Sequence, residues 1–314
     1  MEKSYALGID IGGTNIAFGF VNMLGEIIYE QSTKTNSYKD PLEFIQYLKK
    51  LSEISTFLAQ TIGIGIGAPN GNFFTGNIEH APNLRWKGII PLKQLFETAF
   101  SIPTILTNDA NAAAVGEKKY GCATNYTHFV EITLGTGLGS GIFANNNLLY
   151  GAYGSAGEYG HFRVIPNGRK CKCGRNGCLE TYASSTGVVR SISELESPNK
   201  ANSSLLRIKK PNAEYVFKEA QKGDLFALEI IEFTSQILGN ALADFATFSD
   251  PEAFILFGGI AQSGEYFRQK VEQYMNANLL SIFKNKIKVK TSALHEKNAA
   301  ILGNAAIIFH SILD

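Results

Sequence analysis

Three glycine turns, each following an apolar, strand-like run, constrain this chain more than any other feature: DIGGTN (residues 10–15), LGTGLGSG (134–141) and LFGGIAQSGE (256–265). Glycines lack the Cβ that would hold an anion away from main-chain N–H groups, and converging N–H groups bind phosphate. The first turn joins YALGI to IAFGFVN, two runs that read as neighbouring strands. Glycines in one such turn are equally well explained by hairpin geometry. Recurrence at three strand ends favours the phosphate reading. No GxxxxGK[ST] occurs, which excludes the common P-loop, and in GIGIGA (63–68) Pro69 follows at once and disfavours the helix a dinucleotide fingerprint needs.

Strand-like runs at 5–9, 16–22 and 26–32 precede helical spacing over 41–60 and a buried strand at 61–67, a β-β-β-α-β order. A second version begins near Tyr126 with THFVEIT, SGIFAN and NLLYG, and continues with helices over 225–248 and 265–278 around the strand AFILF. The pattern predicts two similar α/β halves with a cleft between them. Residues 191–212, rich in Ser, Asn and Lys with Pro198 and Pro211, read as a solvated connector.

Lys and Arg number 29 against 28 Asp and Glu, so no charge excess points to nucleic acid or an anionic membrane as partner. No apolar run approaches the roughly 20 residues of a membrane span. MEKSYALGID lacks the apolar stretch of a secretory leader. A cytoplasmic protein is expected.

The carboxylate of Asp10 would repel a phosphate held by Gly12, Gly13 and Thr14 unless Mg²⁺ stood between them. TILTNDANAAAVGEKKYG (104–121) reads as a strand running into an alanine-rich helix, with Asn108 and Asp109 at the junction. Capping alone explains such a pair. The C-terminal end of a parallel strand is, however, where α/β proteins place ligands. A carboxylate there is expected to be kept ionised by the helix dipole, ready to take a proton from a hydroxyl attacking phosphorus.

Between residues 157 and 180 stand His161, Cys171, Cys173 and Cys178, the N/S set of a tetrahedral Zn²⁺ site. One imidazole and three thiolates leave no position for water, so the zinc would be structural. A Cys171–Cys173 redox pair would close a strained ring, and Cys122, set apart, reads as a buried thiol. Glu158 and Glu180 flank the cluster; each alone is explained as surface charge, and together they could accept hydrogen bonds from sugar hydroxyls.

DIGGTN, NDANAAA, LGTGLGSG, AGEYGH, CKCGRNGCLE and GGIA, in this order across about residues 5–305, resemble the ROK family (repressors, open reading frames and sugar kinases). The resemblance implies an actin-like ATPase (ribonuclease H-like) fold of two α/β domains. A smaller one would hold residues 1–118 and 300–314 and a larger one 119–299, with ATP and sugar in the cleft. It implies Asp109 as catalytic base and Asn108, Glu158, His161 and Glu180 as sugar contacts, with Asn70 and Asn83 in GAPNG and APNLRW as further ones. Asp10, Gly12, Gly13, Thr14, Asn15, Thr136, Gly137, Gly258 and Gly259 would contact the nucleotide. His161 would both touch sugar and hold zinc. Many relatives carry lysine where this chain has Asn15, so a lysine–phosphate contact from that position is absent. The expected activity is phosphorylation of a hexose, glucose above N-acetylmannosamine, N-acetylglucosamine, fructose or allose, by a homodimer. Repressors of the family carry a helix-turn-helix ahead of the kinase-like part, and the first strand here begins by Tyr5, which is expected to leave no room for one.

Overall fold

In the computed structural model, which describes residues 4–294 and 296–313, the chain forms two compact units. The first holds Met1–Asn125, Leu148–Ala156 and Ala293–Asp314; the second holds Tyr126–Asn147 and Gly157–Ser292. The units are of nearly equal length. Their junctions lie several residues from the 118/119 and 299/300 division expected above, and residues 148–156 return to the first unit. Met1–Lys3, on which the leader reading partly rests, lie outside the described residues.

In the first unit β1 (Tyr5–Ile11), β2 (Asn15–Asn22) and β3 (Ile27–Lys34) form an antiparallel meander. The expected helix over 41–60 is two helices, α1 (Pro41–Lys50) and α2 (Ser52–Leu58), broken at Leu51, whose backbone is extended. Asp40 caps α1 by accepting the N–H of Glu43 at 3.0 Å, with proline at the first helical position. After β4 (Thr61–Gly67), a short β5 (Ile78–Glu79) and β6 (Ile89–Ile90) pair, then α3 (Leu92–Phe100), β7 (Thr104–Thr107) and α4 (Asp109–Tyr120) follow. The sheet order is β3-β2-β1-β4-β7, with β1, β4 and β7 parallel.

Burial follows position in this sheet. Edge strand β3 alternates strictly between half-buried and exposed residues, while β1 and β4 are buried almost throughout. One face packs Leu7, Ile9 and Phe18 with Phe44 and Phe96; the other packs Ala6 and Val21 against Ile301, Ala305 and Ile308 of the C-terminal helix Glu296–Leu313. A Cβ on Gly65 would collide with the Asn304 carbonyl of that helix. The glycines of GIGIGA therefore serve close helix–sheet packing.

The second unit repeats the plan. β8 (Phe129–Leu134), β9 (Leu138–Ala144) and β10 (Asn147–Leu148), whose last residue is where the chain returns to the first unit, come first, then α5 (Glu180–Ala183), α6 (Ser185–Glu194), α7 (Ala213–Gln221) and α8 (Leu225–Ser249). β11 (Ala253–Phe257), α9 (Glu265–Asn278) and β12 (Lys288–Thr291) complete it. The order β10-β9-β8-β11-β12, with β8, β11 and β12 parallel, reproduces the first sheet. Two such sheets are the repeat of the actin-like ATPase fold.

Two expectations change. Residues 191–212 are not a solvated connector: Ser191 and Leu205 are buried, and Ser203 and Ser204 are tied to Asp224, the residue that caps α8. Ser and Asn mask this in the composition because their hydroxyls and amides are satisfied locally. Helix α8, contrary to the reading of apolar runs, is long and apolar enough by length and composition to cross a membrane, but Phe226, Ile230, Leu238, Leu242 and Phe245 are spent on the second unit's core.

Candidate active site

In the first unit the carboxyl ends of three parallel strands line up. Asp10 of β1 pairs with Gly67 of β4, and Gly67 with Thr107 of β7. At about 4.8 Å per strand, Asp10 and the residues after Thr107 stand within roughly 10 Å of each other. Asn108 caps α4, its Oδ1 accepting the N–H of Ala110 at 2.9 Å. Capping thus falls to Asn108, and its Nδ2 is left as a donor. Asp109, the first helical residue, accepts the same N–H through Oδ1 at 2.9 Å, so its second oxygen remains an available acceptor.

Both acids are held above the ordinary carboxylate range. Burial raises Asp10 to about 7, and the charge of Asp109 adds to it. Burial also raises Asp109, opposed by the main-chain N–H groups of Ala110 and of Asp109 itself. Asp109 is nonetheless solvent-accessible, so water reaches a carboxylate that the surrounding protein keeps from full hydration. The α4 dipole favours the anion, but burial opposes it and prevails. A raised base is better matched to proton abstraction near neutral pH.

A stability test follows for the ligand-free protein. The folded chain holds the Asp10 proton up to about 7, whereas the ordinary carboxyl releases it near 3.8. Its contribution is therefore complete below about 4 and is lost as pH rises to about 7. Asp10→Asn should gain thermal stability relative to wild type as pH goes from 4.5 to 7.5. An equal difference in Tm at both pH values would contradict the shift.

The glycine turn after β1 is braced on two sides. The Gly12 N–H donates to the Asn15 carbonyl at 2.9 Å, and Thr35 donates its N–H to the Thr14 carbonyl (3.0 Å) and its hydroxyl to the Gly12 carbonyl (2.7 Å). A Cβ on Gly13 would come within 2.6 Å of the Asn83 carbonyl, so Asn83 lies against the turn itself. Asn70 sits at the third position of a turn closed by the Gly71 N–H on the Ala68 carbonyl, with Pro69 second; its φ of 54° is the left-handed value asparagine tolerates there. Its Nδ2 donates to the Glu79 carbonyl at 2.9 Å, which leaves Oδ1 as the side chain's acceptor.

In the second unit the turns after β8 and β11, neighbouring parallel strands, carry Thr136, Gly137, Gly258 and Gly259. A Cβ on Gly258 would meet the Leu134 carbonyl at 2.8 Å, so the turns touch. The N-terminus of α6 abuts the first of them: Ser185 N–H donates to the Gly135 carbonyl at 2.8 Å and the Thr186 hydroxyl to the Thr136 carbonyl at 3.0 Å. Ser184 and Thr186 were missed in the sequence, although SST before a helical run is a capping signal. Glu180 accepts the Leu138 N–H at 3.1 Å and packs on Gly137, where a Cβ would strike its carboxylate.

His161, Cys171, Cys173 and Cys178 converge, their ligand atoms all within 4.8 Å of one another. Cys171 Sγ lies 3.7 Å from His161 Nδ1, and the Cys173 and Cys178 sulfurs are 3.6 Å apart. Metal bonds of about 2.0–2.3 Å at tetrahedral angles give edges of roughly 3.5–3.8 Å, the separation of these two pairs, while the four ligand atoms together spread to as much as 4.8 Å. Burial opposes ionisation of Cys173, but hydrogen bonds from Arg175, Cys171 and Cys178 together outweigh it and lower the thiol to about 6. His161 Nε2 is turned to Glu158, 4.0 Å away, so the two ring nitrogens face different groups. The loop is anchored by the buried Arg169 guanidinium, which donates to the Thr181 and Gly187 carbonyls, Ser191 Oγ and Glu194. Cys122, expected to be buried, is half-buried.

Residues 6–311 match the ROK family. A glucokinase of Halalkalibacterium halodurans is 37% identical over 295 residues, covering 89% of this chain and 88% of that protein. The xylose repressor of Bacillus spizizenii is 29% identical over 317 residues, covering 100% of this chain and 79% of that protein. Among solved structures, a ROK family glucokinase from Streptomyces griseus in complex with glucose and AMPPNP superposes with a TM-score of 0.79 at 31% identity, covering 96% of this chain and 98% of that one.

Proposed function

The chain belongs to the ROK family, and from that premise we propose that it is an ATP-dependent sugar kinase acting on the 6-hydroxyl of a hexose, glucose before others. The observation that carries this reading is the acid pair at the strand ends: Asp109, with one oxygen held by Ala110 and the other available, beside Asp10 at the glycine turn. In this reading Asp109 takes the proton of the sugar hydroxyl as that oxygen attacks the γ-phosphorus. Asn108 donates to a hydroxyl and Asn70 accepts from one, while Asn83, Glu158, His161 and Glu180 complete the sugar contacts. Gly12, Gly13, Thr14 and Asn15 receive the phosphates, and Thr136, Gly137, Gly258 and Gly259 the rest of the nucleotide.

Asp10 suits Mg²⁺. Burial and the neighbouring Asp109 raise its carboxyl, and a divalent ion would supply the opposing charge and neutralise the phosphates. His161, Cys171, Cys173 and Cys178 suit structural Zn²⁺ by donor type and spacing. The near-zero net charge accords with the absence of nucleic-acid or membrane partners, and a cytoplasmic homodimer is proposed by analogy with the family.

A panel of hexoses assayed by coupled ADP release tests the substrate. Glucose should give the highest kcat/KM; a tenfold or greater preference for N-acetylmannosamine, N-acetylglucosamine, fructose or allose would reassign it, since a few hydrogen bonds reverse such preferences. Similarity to the xylose repressor supports a second reading, a sugar-sensing regulator. Sequence-specific DNA binding without turnover on any sugar would favour that one.

A further inference from the structure

We propose that Lys34 is a phosphate-binding residue of the first glycine turn, its ammonium meeting the oligophosphate chain of the phosphoryl donor; this rests on the kinase reading above. DIGGTN itself brings no cation to an anion site, and its one ionisable side chain, Asp10, is acidic. Strand β3 supplies the missing charge. In the β2–β3 ladder Asn15 is paired with Lys34, and Lys34 Nζ donates to Asn15 Oδ1 at 2.9 Å. The backbone beneath it is fixed: Thr35 is fully buried and holds the turn through the two hydrogen bonds to Thr14 and Gly12.

The lysine is otherwise uncommitted. It takes part in none of the salt bridges found among the described residues, and its side chain is exposed. A compact ammonium with three donors can keep the Asn15 contact and still reach a phosphate oxygen. Asn15 thereby acts by steering the cation of its neighbouring strand over the turn.

The test compares wild type, Lys34→Gln and Lys34→Arg in the full chain. Glutamine retains a donor for Asn15 and removes only the charge; arginine retains the charge. Loss of one charge-assisted contact should raise the KM for MgATP about tenfold in Lys34→Gln, with recovery in Lys34→Arg and an unchanged KM for sugar. In calorimetry, ATP affinity should fall by the same factor while adenosine affinity stays constant. An unchanged ATP affinity, or equal weakening of ATP and adenosine, would overturn the assignment. Because the binding measurement needs no turnover, a wild-type chain inactive on every sugar would defeat the kinase reading while leaving Lys34 decidable. Parallel assays with inorganic polyphosphate separate the two sources of the phosphate chain: the larger Lys34→Gln effect marks the donor whose chain the ammonium meets.

Discussion

Asp109→Asn will bind sugar with near wild-type affinity and lose about 100- to 10,000-fold in kcat, the range a positioned general base contributes. Asparagine is nearly isosteric and can still accept the Ala110 N–H through its oxygen, so the start of α4 is retained. It cannot take a proton. Because Asn108 already caps the helix, the substitution leaves the cap intact, and a Tm close to wild type should accompany the loss of turnover. One further effect has a definite sign: removing one acid of the pair removes the Asp109 charge that raises Asp10, so the Asp10 carboxyl should move down from about 7 in the variant. Single-turnover kinetics with saturating sugar and MgATP separates chemistry from binding. Retention of near-normal kcat would take Asp109 out of the mechanism.

How much of this was legible beforehand depended on whether local chemistry or a distant partner decides each feature. The strand AFILF and the helix over 265–278 have the bounds read from the sequence, because periodicity and flanking turn residues define them locally. The four metal-type donors, His161, Cys171, Cys173 and Cys178, lie close together in the sequence as they do in space. The repeat of two sheets was readable from the order of elements, since antiparallel neighbours need only short turns while parallel ones need a crossover. Lys34 was not visible, because its placement follows from the Asn15–Lys34 register, which depends on the whole hairpin. The Asp10 shift was equally hidden: it arises from burial and from a residue 99 positions away in the chain, brought near by parallel pairing through β4. Residues 191–212 misled for the opposite reason, polar composition concealing side chains satisfied by Asp224 and Arg169.

Cys178→Ser should yield protein with well under one zinc per chain, a cysteine loop open to protease and a much lower Tm. Structural zinc contributes on the order of 10 kcal/mol to small sites, comparable with the whole stability of an ordinary domain. The loop has few other supports of that size. Cys178 is fully buried and leads directly through Leu179 into α5, so its loss reaches Glu180 within two residues. Glu180 in turn holds the Leu138 N–H beside Gly137, and Cys171 Sγ lies 3.8 Å from its other oxygen. Metal loss should therefore raise KM for sugar and for the phosphoryl donor together, where a purely remote structural defect would lower the active fraction and leave both KM values alone. Arg169 keeps the opposite side of the loop on α5 and α6, so re-addition of Zn²⁺ to chelated wild type should restore both constants. Cys122→Ser, outside the four-donor cluster, serves as the control. Wild-type protein purified without chelator that contains no zinc, yet melts as high and turns over as fast as protein loaded with it, would show that the four donors hold the loop without a metal.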